Sequence, residues 1–289
     1  MDTRSRIEAA LEKAIGRACA GKAPPAIAEA VRHAVFPGGA RVRPRLCLAV
    51  AGACGDDMPG LSEAACAAVE LLHCASLVHD DMPCFDDAAT RRGRPSVHAL
   101  YGEPLALLAG DALIVLAFET IALEAVESPA RMARLITTVA NSVGLPMGIV
   151  AGQAWEVEPD IDMRTYHRAK TGSLFVGAAM AGAIAAGADP NPWRAFGDRL
   201  GEAYQVADDL RDAVGSAADI GKPIGQDAAH HRPNAVGQLG TGAALAHLRG
   251  LVEAAIASIP PCPRASELET LILSEAKRLV PKELAQSAA

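Results

Sequence analysis

Residues 61–81, LSEAACAAVELLHCASLVHDD, place the tightest limit on what this chain can fold into. Small or apolar side chains fill almost every position around the helical turn, and the stretch ends on a pair of acids. A helix that is apolar all round has no face to give to water, so it belongs inside a layer of other helices. Ser62 stands near its start as a candidate N-cap. Similar alanine-rich stretches recur at 104–126, 164–187, 193–214, 242–258 and 265–279, separated by Pro and Gly in GLPMG, GADPNPW and SIPPCP. No segment alternates apolar and polar residues as a half-buried strand does. With 51% hydrophobic residues among 289, the chain can bury a large core. Neither a repeat nor a long linker divides it, so the expectation is an all-α fold forming one domain over 1–289.

Charge and cysteine usage narrow the function. A net charge of -7 argues against a general nucleic-acid binder, which needs a basic footprint. The seven cysteines form no CxxC pair and mostly sit in apolar runs, as small buried hydrophobes do in a reducing compartment. The N-terminus MDTRSRIEAALEKAIGRA is charged and amphipathic, unlike a signal peptide. No uninterrupted apolar run is long enough to span a bilayer. These features predict a cytoplasmic protein with no membrane span.

The chemistry gathers around the acids. Between Asp80 and Arg94, four aspartates (Asp80, Asp81, Asp86, Asp87) precede three arginines (Arg91, Arg92, Arg94), whereas a solvated helix face mixes its signs at helical spacing. His73, Asp80 and Asp81 fall on the last turns of one helix, with His73 two turns before Asp80 and on its face. Pro83 interrupts that helix and lets Asp86 and Asp87 turn back toward the first pair. A second cluster, Asp208, Asp209 and Asp212 in YQVADDLRD, shares a helix face with no balancing basic stripe. Carboxylate oxygens suit Mg2+, which takes one or two of them and leaves its other positions to water and phosphate. Cations collect in GGARVRPR (38–45), RRGR (91–94), AKTGS (169–173) and DIGKPIGQD (219–227). Two acidic clusters facing one another among such cations fit two phosphorylated groups, one reached through metal and one gripped by guanidinium forks.

In content and order, HCASLVHDDMPCFDDAATRRG, KTG, YQVADDLRD, GKPIGQD and GGARVRP resemble the isoprenyl diphosphate synthases, the head-to-tail trans-prenyltransferases, over residues 36–235. The wording FPGGARVRP, HCASLVHDDMPCFDD and GQDAAHHRPNAVG is similar to the geranylgeranyl diphosphate synthases of bacterial carotenoid pathways. The resemblance implies a bundle of mainly antiparallel helices around a deep central cavity, paired as a homodimer. It implies that isopentenyl diphosphate is condensed with an allylic diphosphate, whether dimethylallyl, geranyl or farnesyl. The allylic C–O bond ionises, the isopentenyl double bond adds to the cation, and the released diphosphate takes the final proton. By the same resemblance Asp80, Asp81, Asp86, Asp208, Asp209 and Lys170 are catalytic. Asp80, Asp81, Asp86, Asp208, Asp209 and Asp212 are implied to hold about three Mg2+ ions, with Mn2+ as the alternative. Arg91, Lys170, Thr171, Gln205 and Lys222 are implied to contact the allylic diphosphate, and Arg43, His73 and Arg92 that of isopentenyl diphosphate. Gln153 lies in GQAWE, where the family often has Gln followed three residues on by Asp; here the third residue is Glu156.

Three positions depart from the family pattern. Ala40 replaces the Lys of GGKRxRP, Gln226 stands in a GKD position, and Arg232 takes the place of another frequent Lys. These losses raise the expectation of a weaker substrate clamp, of a clamp shifted to Arg45, or of an enzyme that needs a partner subunit. Product length is read from the helix bearing the first aspartates. A chain anchored at Asp80 extends toward the N-terminus of that helix and meets Ala75 and Ser76, with Leu72 a turn further. Both nearer residues are small, so the expected product is geranylgeranyl diphosphate (C20), with farnesyl diphosphate synthesis (C15) and a low-activity regulatory subunit as alternatives. A terpene cyclase fits DDLRD poorly.

Overall fold

The computed structural model describes residues 2–36, 38–160, 162–214 and 235–279. In chain order the helices are α1 (Thr3–Ala18), α2 (Pro25–Val35), α3 (Val42–Cys54), α4 (Pro59–Asp80), α5 (Val97–Tyr101), α6 (Glu103–Glu124), α7 (Pro129–Val143), α8 (Ile149–Trp155), α9 (Met163–His167), α10 (Ser173–Ala185), α11 (Trp193–Val214), α12 (Ala235–Leu239), α13 (Thr241–Ala257) and α14 (Ala265–Leu279). Among the described residues the only strands are β1 (Thr90–Arg91) and β2 (Arg94–Pro95), a two-stranded antiparallel hairpin inside the arginine block. The all-α reading therefore holds, and the alanine-rich stretches match α4, α6, α9 to α10, α11, α13 and α14 within a few residues.

Local chemistry sets the helix ends. Asp2 caps α1 by accepting from the Ser5 N–H at 2.7 Å. Helix α4 starts with Pro59 in its first turn, where a missing N–H costs nothing, and has no side-chain cap. Ser62 is thus not the cap: it is buried inside the first turn and its hydroxyl bonds Asp56. Two elements lie at the centre. In α4 nearly the whole surface from Leu61 to Val78 is buried, and in α10 every residue from Leu174 to Ala185 is. Helix α10 packs against α3, α4, α7 and α11, and α4 packs against α3 and α6. Small side chains permit this: a Cβ on Gly182 of α10 would lie 2.2 Å from the Cys47 carbonyl of α3.

The buried apolar residues, from Ile7 to Ile272, form one connected cluster. All seven cysteines are unpaired, and burial pushes the thiols of Cys74 to about 12 and Cys54 to about 11, as inert core groups. By length and composition α4 and α6 are apolar enough to cross a membrane, which a search for uninterrupted apolar runs passes over. The apolar window of α4 is 83% buried within the bundle, so its composition is that of a core helix. That of α6 is only 44% buried, and Leu107, Leu108, Val115 and Leu123 stand out from it.

Candidate active site

Helix α4 delivers the first acids and then stops. Its last residue is Asp80, Asp81 occupies the C-cap, and the chain turns back: the Asp86 N–H donates to the Asp80 carbonyl at 3.0 Å and that of Ala88 to the Asp81 carbonyl at 3.1 Å. The return expected after Pro83 is present in the backbone. Asp80 and Asp81 are buried and Asp86 is exposed. Burial pushes both buried carboxyls above their ordinary range. For Asp80, Lys170 and Gln153 oppose the rise, while Glu156 and Asp86 add to it. For Asp81 the opposing group is Arg91, which donates to it through Nε at 2.9 Å and also through Nη2.

The second wall comes from α11 and the turn before α10. Residues Arg168–Gly172 form a single π-helical turn between α9 and α10, and it carries Lys170 and Thr171. Lys170 Nζ lies 2.7 Å from Glu156 and 3.7 Å from Asp80. Thr171 donates to the Gln205 side chain at 2.8 Å, and Gln205 donates to Asp209 at 2.9 Å. One turn of chain thereby connects the Asp80 cluster to the Asp208–Asp209 cluster through neighbouring residues. Asp208 pairs with Arg211 at 3.3 Å. The side chain of Asp212 lies outside the described residues, as do Lys222, Gln226 and Arg232.

A cationic recess adjoins this pair of walls. Arg43 Nη1 and His73 Nε2 are 3.5 Å apart, and Arg92 approaches from the hairpin: a Cβ on Gly39 would come within 2.9 Å of its guanidinium. Of the three residues expected to share an anion, Arg43 and His73 are in contact, and Arg92 is near enough for its charge to act on both. Burial, reinforced by Arg43, Arg92 and Arg91, holds the His73 imidazole well below its ordinary value and so neutral. Burial likewise depresses Arg43, against the pull of Tyr204, Glu70 and Asp208. The Arg43 guanidinium sits 4.7 Å from the ring centre of Phe175 and 5.7 Å from that of Tyr204. Asp81, Arg91 and Arg92 also line, with Leu77 and His33, a small cleft of about 40 Å³ that Arg43 and His73 do not enter.

Several expectations need amendment. Arg45 is committed to Glu275 of α14 at 2.8 Å, so it does not stand in for the lysine missing at Ala40. Ala75 is fully packed in the core; Ser76 is half-buried, and its carbonyl accepts from Gln153 at 3.2 Å. Among the described residues no three His, Cys, Asp or Glu side chains converge as a ready-made metal cage. Sequence reasoning passed over Tyr166, which donates to Glu156 at 2.5 Å, and the rings of Phe175 and Tyr204. A usable signal existed: the chain has three tyrosines, and two of them are here.

Comparison with known proteins follows from this geometry. The family model for polyprenyl synthetase matches residues 24–243. A geranylgeranyl diphosphate synthase of Cereibacter sphaeroides is 54% identical over 285 residues, covering 99% of both chains. A second, from Rhodobacter capsulatus, is 49% identical over 280 residues, 97% of each. Among solved structures, a geranyltransferase from Helicobacter pylori complexed with magnesium and isoprenyl diphosphate superposes with a TM-score of 0.79 at 27% identity, over 96% of this chain and 98% of the other.

Proposed function

The chain belongs to the polyprenyl synthetase family, and from that membership we propose that its site joins isopentenyl diphosphate to allylic diphosphates and extends them to geranylgeranyl diphosphate, C20. The protein is a prenyltransferase enzyme. The observation that carries the site assignment is the Lys170–Thr171 turn, which touches both aspartate clusters while the Arg43, His73 and Arg92 recess lies alongside.

The roles follow from these positions. Lys170, Thr171, Gln205 and Arg91 grip the allylic diphosphate, and a leaving diphosphate gathers negative charge as its C–O bond ionises. Lys170 supplies an ammonium already at the mouth of the Asp80 cluster, and Gln153 keeps Asp80 oriented from α8. Arg43, His73 and Arg92 hold isopentenyl diphosphate so that its double bond meets the allylic cation. Neutral His73 donates one N–H to phosphate without adding a second charge beside Arg43. The released diphosphate, held close by, accepts the final proton.

The donor set fits a hard divalent cation. Buried carboxylates with raised affinity for protons, lying beside further acids, are stabilised by a metal in the same way. Asp80, Asp81, Asp86, Asp208 and Asp209 would hold Mg2+, about three ions with Mn2+ as a substitute, and the metal would supply charge to offset the diphosphate. We further assign a homodimer in the cytoplasm, with the exposed apolar side of α6 covered by a second copy.

Purified protein supplied with Mg2+, isopentenyl diphosphate and farnesyl diphosphate tests the whole reading. Chromatography of the dephosphorylated products should show a C20 alcohol. Product stopping at C15 would overturn the chain length, and no condensation at all would return the chain to a regulatory role.

A further inference from the structure

We propose that Arg41, two residues before the anion-binding Arg43, is a positioning residue for the isopentenyl diphosphate recess, acting through the buried carboxylate of Glu70. The inference rests on the functional reading above and adds a residue to it.

Arg41 is the N-cap residue of α3, and it is there in an unusual state. Its backbone is left-handed, at φ 51° and ψ 39°, a conformation that side chains other than glycine adopt reluctantly. The residue is nevertheless buried, at 3% exposure. Four of its contacts explain why it stays. Nε donates to Glu8 at 3.0 Å and Nη2 to the same carboxylate at 3.2 Å, a fork onto α1. Nη1 donates to Glu70 of α4 at 2.7 Å, and Nη2 also reaches the Val35 carbonyl at the end of α2 at 2.9 Å. The loop wraps tightly round this group, since a Cβ on Gly38 would fall 2.0 Å from the guanidinium carbon. A side chain at 38 would have to push that hydrogen-bonded guanidinium aside.

Register converts this anchor into a device for the site. Glu70 lies three residues before His73 on α4, and Arg41 lies two before Arg43 at the start of α3. The same two segments are therefore joined by two successive rungs. The lower rung is a paired charge, Arg41 with Glu70. The upper rung is Arg43 with His73 at 3.5 Å, a long contact in which the free nitrogen of the neutral imidazole can accept from the guanidinium, and an incoming anion would share the remaining donors of both. A hydrogen bond that long is too weak to set the spacing of two backbones by itself. The lower rung does so, and Glu70 also offsets part of the charge on Arg43. The left-handed turn at Arg41 then fixes the direction in which Val42 and Arg43 leave the loop.

Removing Arg41 alone would strand a buried Glu70 carboxylate and test folding more than function. The informative variant is the pair Arg41→Met with Glu70→Met, which replaces the ion pair by apolar groups of similar length. Thermal unfolding should stay close to wild type, while the KM for isopentenyl diphosphate rises about tenfold, with the KM for farnesyl diphosphate and kcat within about threefold, as expected of a misplaced charge-assisted contact. A merely structural role would move both KM values together. An unchanged isopentenyl KM in the folded double variant overturns the proposal. Glu70→Met alone leaves Arg41 paired with Glu8 and removes only the lower rung, and it decides the matter should the double variant not fold: a selective rise in the isopentenyl KM supports the anchor, and no rise overturns it. A wild type without condensation activity would instead refute the functional reading.

Discussion

Adding a single methyl to Gly152 should disable the site without removing any group that binds substrate. An ideal Cβ there would lie 2.4 Å from both Cα and N of Lys170, and 2.6 Å from its Cβ, where ordinary contact begins at 3.4 Å. The shortfall is about 1 Å, against backbone that cannot rotate away as a side-chain tip would. The π-helical turn has no room to retreat, because on its far side a Cβ at Gly201 would already be 2.7 Å from Gly172 Cα. If α8 moves instead, it carries off Gln153, which holds Asp80 at 2.9 Å. Either way the relation of Lys170 to Asp80, now 3.7 Å, changes by about 1 Å, and a misplacement of that size costs about a hundredfold in rate. Overpacking should also cost about 1–3 kcal/mol, lowering Tm by several degrees. The assay is steady-state kcat/KM with farnesyl diphosphate varied, alongside thermal unfolding and Gly16→Ala as a control, since a Cβ at that α1 position meets nothing within 4 Å. A Gly152→Ala enzyme within about threefold of wild type would refute the claim that this packing sets Lys170.

Other outcomes follow from the same geometry. Asp80→Ala and Asp208→Ala should each cut turnover by several orders of magnitude, and EDTA should abolish it reversibly; activity surviving either treatment counts against metal-assisted ionisation. Ser76→Phe, at the half-buried neighbour of the packed Ala75, should move the main product from C20 to C15 while the earlier condensations continue, as read by chromatography; a variant still making C20 removes Ser76 from the length determinant. Ala40→Lys should lower the isopentenyl KM by no more than about tenfold, since residue 40 is exposed and a solvated contact is weak. Val115→Asp, at a position 68% exposed on α6, should convert a dimer to monomer in sedimentation, and a wild type already monomeric at micromolar concentration sinks the dimer assignment.

How much of this was visible in the chain depends on the range of the interaction. The helices that read clearly, α4, α6, α10, α11, α13 and α14, are rich in Ala and Leu, so propensity and burial agree. Helix α7 escaped because ITTVANSV is made of residues that favour other structure in isolation, and it is helical through packing on α10. Helix α8 spans only Ile149–Trp155, too short to show a period. The turn after Asp81 was legible from Pro83, and the contact of Arg43 with His73 joins motifs whose members lie far apart in the chain. The π-helical form of RAKTG was not legible, for an extra residue in one turn leaves no compositional trace.

Partner choice among like groups was the least legible layer, and it alters how the departures from the family pattern are understood. GGARVRPR offers three arginines that a linear reading treats as interchangeable cations near a missing lysine. Their environments separate them completely. Arg41 turns inward to Glu8 and Glu70, Arg45 turns outward to Glu275, and Arg43 stacks on two aromatic rings with its donors toward His73. Arg41 is the left-handed cap of α3 and Arg43 and Arg45 lie two apart on that helix, about 200° round its axis, so the three cannot share one face as they would on a strand. The same logic applies to Glu156. One methylene longer than the family's aspartate, its carboxylate reaches Lys170 and Tyr166 together, while Lys170 remains within 3.7 Å of Asp80. Held between two acids, Lys170 stands with its ammonium already turned toward the place where a diphosphate must lose its bond to carbon.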